Sequence, residues 1–116
     1  MFTGWSDAAI SPLATIGYYK KVLAHDNAAV NDTRLFMMPG VEHCFGGPGP
    51  SFTNLLTEID KWVETGKAPE QTAAYWLDEK LQPTESRLLC AYPKVAKYDG
   101  KTDTRDASSF SCVDPD

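Results

Sequence analysis

Asp7, in a Gly-Trp-Ser-Asp run, and His43, in a Pro-Gly-Val-Glu-His-Cys run, are the two side chains here whose types suit proton relay in acyl transfer. A carboxylate bonded to one imidazole nitrogen fixes the tautomer and stabilises the charged ring. The other nitrogen is then left to take a proton from an attacking hydroxyl or thiol. The acid precedes the base, and only the short stretch Met1–Ser6 lies ahead of the acid, so the nucleophile of such a relay has no evident upstream position. Alone, the pattern is a weak signal, because a histidine ahead of a glycine-rich loop is as a rule an ordinary solvated residue.

The other residues with chemical potential have plainer uses. Ser6 sits in a Gly-x-Ser-x context that imitates a nucleophile elbow, but an elbow needs a strand before it, and the three residues ahead of the Gly-Trp-Ser-Asp run are not expected to supply one. Ser11 before Pro12 reads as a helix cap, and Ser108, Ser109 and Ser111 as polar residues of a tail. Cys44, adjacent to His43, could act as a thiolate only if the two side chains met, and neighbours on a loop often point apart. His25 beside Asp26 reads as a solvated residue at a helix C-terminus. Two histidines and three scattered cysteines match no zinc spacing, so neither a metal nor any other cofactor is expected. Trp5 and Phe45 flank the acid and the base and could line an aromatic pocket, although aromatics at such places more often simply pack.

The elements that must position these residues follow from periodicity. Leu13, Ile16, Tyr19 and Leu23 recur at helical spacing and predict a helix from Ser11 to about Ala24. Arg34–Met38 is a short apolar run ending at Pro39-Gly40, as expected of a buried strand and of the one parallel-sheet strand in the chain. The run from Gly46 to Pro50 alternates glycine and proline and is a loop directly after His43-Cys44. Phe52, Leu55, Leu56, Ile59, Trp62 and Val63 predict a second helix from Phe52 to Thr65, stopped by Gly66, with Trp62 in the core. Thr72–Leu77 reads as a strand, Asp78–Glu85 as a polar connection, and 86–116 as an extended, turn-rich tail.

Composition sets the outer limits. A chain of 116 residues with 42% hydrophobic and 23% charged residues is long and apolar enough for one globular core. A net charge of −5 without a lysine or arginine cluster argues against a nucleic-acid partner. No apolar run has the roughly 20 residues of a membrane helix, and no secretion signal is present. Of the three cysteines, Cys90 and Cys112 are the expected disulfide because they flank the irregular tail, with Cys44 left over. Three reduced thiols in a cytosolic protein is the alternative.

Several motifs together resemble one family. Gly4-Trp5-Ser6-Asp7, Arg34-Leu35-Phe36, Pro39-Gly40-Val41-Glu42-His43-Cys44, Gly46-Gly47-Pro48-Gly49-Pro50, Trp62-Val63-Glu64-Thr65-Gly66-Lys67-Ala68-Pro69 and Arg87-Leu88-Leu89-Cys90-Ala91-Tyr92-Pro93 are similar to the C-terminal portion of the tannase and feruloyl esterase family, which includes hydrolases of terephthalate mono-esters. The resemblance implies an α/β class, specifically a partial α/β-hydrolase: helix, strand, helix, strand and disulfide-stapled tail, within one segment, 1–116. It implies Asp7 as catalytic acid and His43 as catalytic base of a Ser-His-Asp triad whose serine is missing from the chain. It also implies that Cys44 corresponds to a cysteine that, in the family, is bonded to the residue before that serine. The family's lid domain, its calcium site and its Cys-Ser elbow have no counterpart here and are not carried over.

The implied activity is hydrolysis of carboxylic esters of aromatic acids, phenolic or terephthalate-like, in a secreted or periplasmic setting. The implied partners are a small aromatic ester and either a missing N-terminal half or further copies of the chain. The competing expectation is a non-catalytic fragment that oligomerises, because two amphipathic helices and one or two strands would leave apolar faces and strand edges open.

Overall fold

The computed structural model describes all residues from Met1 to Asp116 and mixes helices with short strands around a thin core. Strand β1 (Phe2–Gly4) runs parallel to β2 (Phe36–Met38), with Thr3 opposite Met37. Between them lie helix α1 (Pro12–His25) and a 3-10 turn over Asn27–Asn31. Strand β3 (Phe52–Thr53), helix α2 (Leu55–Thr65), and the long strands β4 (Gln71–Leu77) and β5 (Pro83–Cys90) follow, the three strands forming an antiparallel sheet in the order β3-β4-β5. The chain ends in the hairpin of β6 (Val95–Tyr98) and β7 (Phe110–Val113).

The parallel pair and the antiparallel sheet meet at one point. Phe36 bridges Ala91 just past the end of β5, and Tyr92 N–H donates to the Leu35 carbonyl at 2.8 Å. The core forms where they join: Phe36, Met38, Val41, Ala74, Leu89 and Ala91 are buried together, and Leu55 of α2 packs on them. Ile16 and Tyr19 of α1 make a second cluster with Leu35, against which Tyr92 stands edge-on to Tyr19 at 6.2 Å. Burial of these apolar side chains is the main term that fixes α1 against β2.

Four expectations are corrected. A strand does precede Ser6, because the backbone of Met1–Trp5 finds a partner in β2: Phe36 N–H donates to the Met1 carbonyl and Trp5 N–H to the Met38 carbonyl. The second helix begins at Leu55, since Phe52 and Thr53 pair instead with Tyr75 and Ala74. The polar connection 78–85 and the tail from 86 are not the natural divisions: Pro83–Cys90 is one continuous strand that straddles that boundary, and most of the remaining tail is the β6–β7 hairpin. Trp62 is not core. It is half-buried, with the Arg34 guanidinium 5.5 Å from its ring centroid, while Arg34 also pairs with Glu70 at 2.8 Å.

Helix α2 has the broad apolar face its sequence predicts, yet none of its residues is buried, and Leu56 and Val63 are 79% and 80% exposed. That face, together with Tyr18 and Val22 of α1 and Phe2 of β1, lines an open groove of about 1170 Å³. Strand β1 has β2 as its one strand neighbour, so its other edge opens along the same side.

The tail is held as expected by a disulfide between Cys90 and Cys112. Ser86 adds two bonds, donating its N–H to the Arg105 carbonyl at 2.9 Å and accepting the Ala107 N–H on its hydroxyl at 2.8 Å.

Candidate active site

Asp7 lies in the bends that follow β1, and His43 in the loop that follows β2. Because β1 and β2 are parallel neighbours, both loops leave from the same end of the pair, which is how residues distant in sequence come to meet. The main chain brings them closer still. Ser6 N–H donates to the Val41 carbonyl at 3.0 Å, and a Cβ on Gly4 would sit 2.1 Å from that same oxygen. No side-chain-bearing residue fits at position 4 without moving one loop off the other.

Asp7 Oδ2 and His43 Nδ1 are 3.0 Å apart. The other carboxylate oxygen, Oδ1, accepts the N–H groups of Ala9 and Ile10, both at 2.8 Å, so the carboxylate is fixed from behind and presents a lone pair to the ring. The Asp7 side chain is 6% exposed and that of His43 is 54% exposed. Nδ1 carries the proton in this contact and Nε2 is the ring's free acceptor. No hydrogen bond joins the ring to the Ser6 hydroxyl or to the Cys44 thiol, which is free and exposed. Ser6 is followed by an irregular stretch, residues 7–11, with bends at 8–10, before helix α1 begins at Pro12, so it does not stand on a strand-to-helix elbow.

The Asp7 carboxyl is held below the usual aspartate range, chiefly by the Ile10 N–H; partial burial pushes it up, and the His43 ring and the Ala9 N–H pull it down further. A depressed carboxyl supplies stability that is complete above its unfolded value, near 3.8, and lost as pH falls through the lower, folded value. The turn at Asp7–Ile10 should therefore persist through mild acid. Amide exchange at Ala9 and Ile10 is expected to stay constant from pH 7 to about 4, after correction for intrinsic rates, and to rise only below that. Loss of protection already near pH 5 would contradict it.

The histidine loop is braced by its own backbone. Glu42 N–H donates to the Gly46 carbonyl at 3.1 Å and Gly49 N–H to the Gly40 carbonyl at 2.9 Å, so residues 40–49 fold back on themselves with His43 near the tip. Cys44 turns the tip with φ of 65°, an uncommon angle for a residue with a side chain. Ser51 Oγ accepts the Gly46 N–H at 2.9 Å, and the Trp76 indole donates to the Pro48 carbonyl at 3.0 Å. Sequence reasoning singled out neither Ser51 nor Trp76. The signal that could have found Ser51 is a lone hydroxyl at the end of a glycine-proline loop, which must use side chains to satisfy its backbone.

A small cavity of about 220 Å³ adjoins the pair, with Thr3, Ile10, Val41 and Cys44 among its walls. The larger groove beside α2 includes neither Asp7 nor His43 and is separate from this chemistry. No group of three His, Cys, Asp or Glu side chains is placed to hold a metal ion. No helix is long and apolar enough to cross a membrane.

Known proteins share this arrangement of sequence and fold. The family model for tannase and feruloyl esterase matches residues 1–113. The chain is 39% identical over 118 residues to mono(2-hydroxyethyl) terephthalate hydrolase of Piscinibacter sakaiensis, covering 99% of this chain and 19% of that protein. It is 31% identical over 130 residues to feruloyl esterase B of Aspergillus niger, covering 97% and 25%. Among solved structures, feruloyl esterase B from Aspergillus oryzae superposes with a TM-score of 0.78 at 28% identity, covering 97% of this chain and 26% of that one. The chain thus spans about a fifth to a quarter of the relatives it matches. It belongs to the tannase and feruloyl esterase family.

Proposed function

We propose that this chain carries the acid and the base of a serine-type carboxylic ester hydrolase acting on aromatic esters, in a partial α/β-hydrolase core. The observation that carries the reading is the 3.0 Å contact between Asp7 Oδ2 and His43 Nδ1, with Asp7 anchored by two backbone N–H groups. Asp7 orients the ring and stabilises its charged form. His43 Nε2 takes the proton of a serine hydroxyl as that oxygen attacks the ester carbonyl, then returns it to the departing alcohol, leaving an acyl-enzyme. Water then attacks the acyl carbonyl as Nε2 takes its proton, and Nε2 returns that proton to the serine oxygen as the bond to it breaks and the acid is released.

The serine belongs, in this reading, to polypeptide outside these 116 residues, packed along the open edge of β1 and the groove beside α2. The 220 Å³ cavity is smaller than complete ligand pockets, which run to about 300–1,000 Å³. The remaining walls of an aromatic-ester pocket then come from the same missing polypeptide. Names of the relatives favour phenolic or terephthalate-like acyl groups. The disulfide favours a secreted or periplasmic setting.

The test is a chimaera in which residues 1–116 replace the matching segment of the Piscinibacter sakaiensis relative. The folded chimaera should hydrolyse mono(2-hydroxyethyl) terephthalate, the ester for which the host supplying the other pocket walls is named, and His43→Ala should reduce the rate to background. Equal rates with and without His43, or a cooperatively folded chimaera inert on that ester, would remove the proposal.

A further inference from the structure

The loop that carries His43 is gripped from outside by a residue with no part in the relay. Trp76, near the end of β4, donates its indole N–H to the Pro48 carbonyl at 3.0 Å. Pro48 lies on the return limb of the folded-back loop, next to Gly49, whose N–H closes that loop on Gly40. We propose that Trp76 is a positioning residue for His43, holding the return limb so that the ring stays on Asp7; this rests on His43 being the base.

The far side of the indole explains why it can hold. The Arg87 guanidinium lies 5.5 Å from the Trp76 ring centroid and 4.9 Å from that of Phe110 on β7. One of its terminal nitrogens, Nη1, is buried with no hydrogen-bond partner. An unpaired buried donor is costly, so the cation is retained there by the two ring faces rather than by polar contacts. Phe110 is two residues from Cys112, which is bonded to Cys90 on β5. The stack Phe110, Arg87, Trp76 therefore connects the disulfide-held hairpin to the histidine loop and stiffens the donor that grips Pro48.

Trp76→Phe isolates the contact, because it removes the indole N–H while keeping a ring for Arg87. In the isotope-labelled full chain, amide exchange at Gly49 should accelerate about tenfold, the size expected from losing one hydrogen bond. The His43 ring-nitrogen signals should move away from the Nδ1-protonated form, while the Leu88 and Leu89 amides keep their wild-type protection. Wild-type Gly49 exchange together with wild-type ring signals in Trp76→Phe would overturn the proposal. Should that variant fail to fold, the native protein decides. The Trp76 indole proton should exchange about tenfold more slowly than that of Trp5, which has no acceptor, and equal rates would overturn it. Asp7→Asn separates the two levels: it must shift the His43 ring signals in any case. If it leaves them in place, the acid–base assignment falls, and Gly49 exchange still judges the role of Trp76.

Discussion

Asp7→Asn should lower kcat for mono(2-hydroxyethyl) terephthalate by about three to four orders of magnitude in the chimaera, with KM nearly unchanged. Asparagine has the same shape, and its carbonyl oxygen can still accept the Ala9 and Ile10 N–H groups that fix the native side chain. What then faces His43 is an NH2 donor, so Nδ1 must become the acceptor and the ring proton moves to Nε2. The nitrogen that should take the serine's proton is thereby blocked, although every distance is kept. The loss corresponds to about 4–5.5 kcal/mol of transition-state stabilisation. Turnover within tenfold of wild type, in a folded protein, would mean that Asp7 does not set the tautomer.

Removing the tail's covalent link should have the largest effect on stability. The bridge between Cys90 and Cys112 closes a loop of 22 residues, and freeing a loop of that length costs about 3 kcal/mol through the unfolded chain's entropy. For a chain of this size that is a fall in melting temperature of roughly 10–15 °C, readable by calorimetry on the Cys90→Ala/Cys112→Ala double variant. Strand β6 of the hairpin it tethers buries none of its residues, so the hairpin is otherwise held through the Ser86 bonds and the Arg87 contact with Phe110. A shift below about 3 °C would place its stability in the Ser86 bonds and the Arg87 stack instead.

These expectations also mark how far the sequence was legible. Helix α1 announces itself because its apolar residues recur at helical spacing, and strand β2 because a short apolar run stops at Pro39-Gly40; both lie within about two residues of the expected bounds. Strand β1 could not be read, because Phe2–Gly4 is too short to display a period and exists through pairing with β2. Strand β5 was hidden for a different reason: Pro83, Thr84, Glu85 and Ser86 form its polar first half, where pairing with β4 rather than burial makes the strand. The periodicity of α2 gave the helix but not its surroundings, since an apolar face says what an element can cover and not whether the cover is in the same chain. The Asp7–His43 pair was legible only through family motifs, and no spacing rule for a parallel strand pair would have found Ser51 or Trp76.

The bare α-carbon at Gly4 has a wider consequence. It lets two stretches of main chain touch, so the approach of the acid's loop to the base's loop is set by backbone, with Trp76 and Ser51 holding the histidine loop from outside the substrate side. Pocket walls can then be exchanged freely, by selection or by a protein engineer, without retuning the relay. Under the proposed relay, one such pair can therefore serve esters of quite different outline.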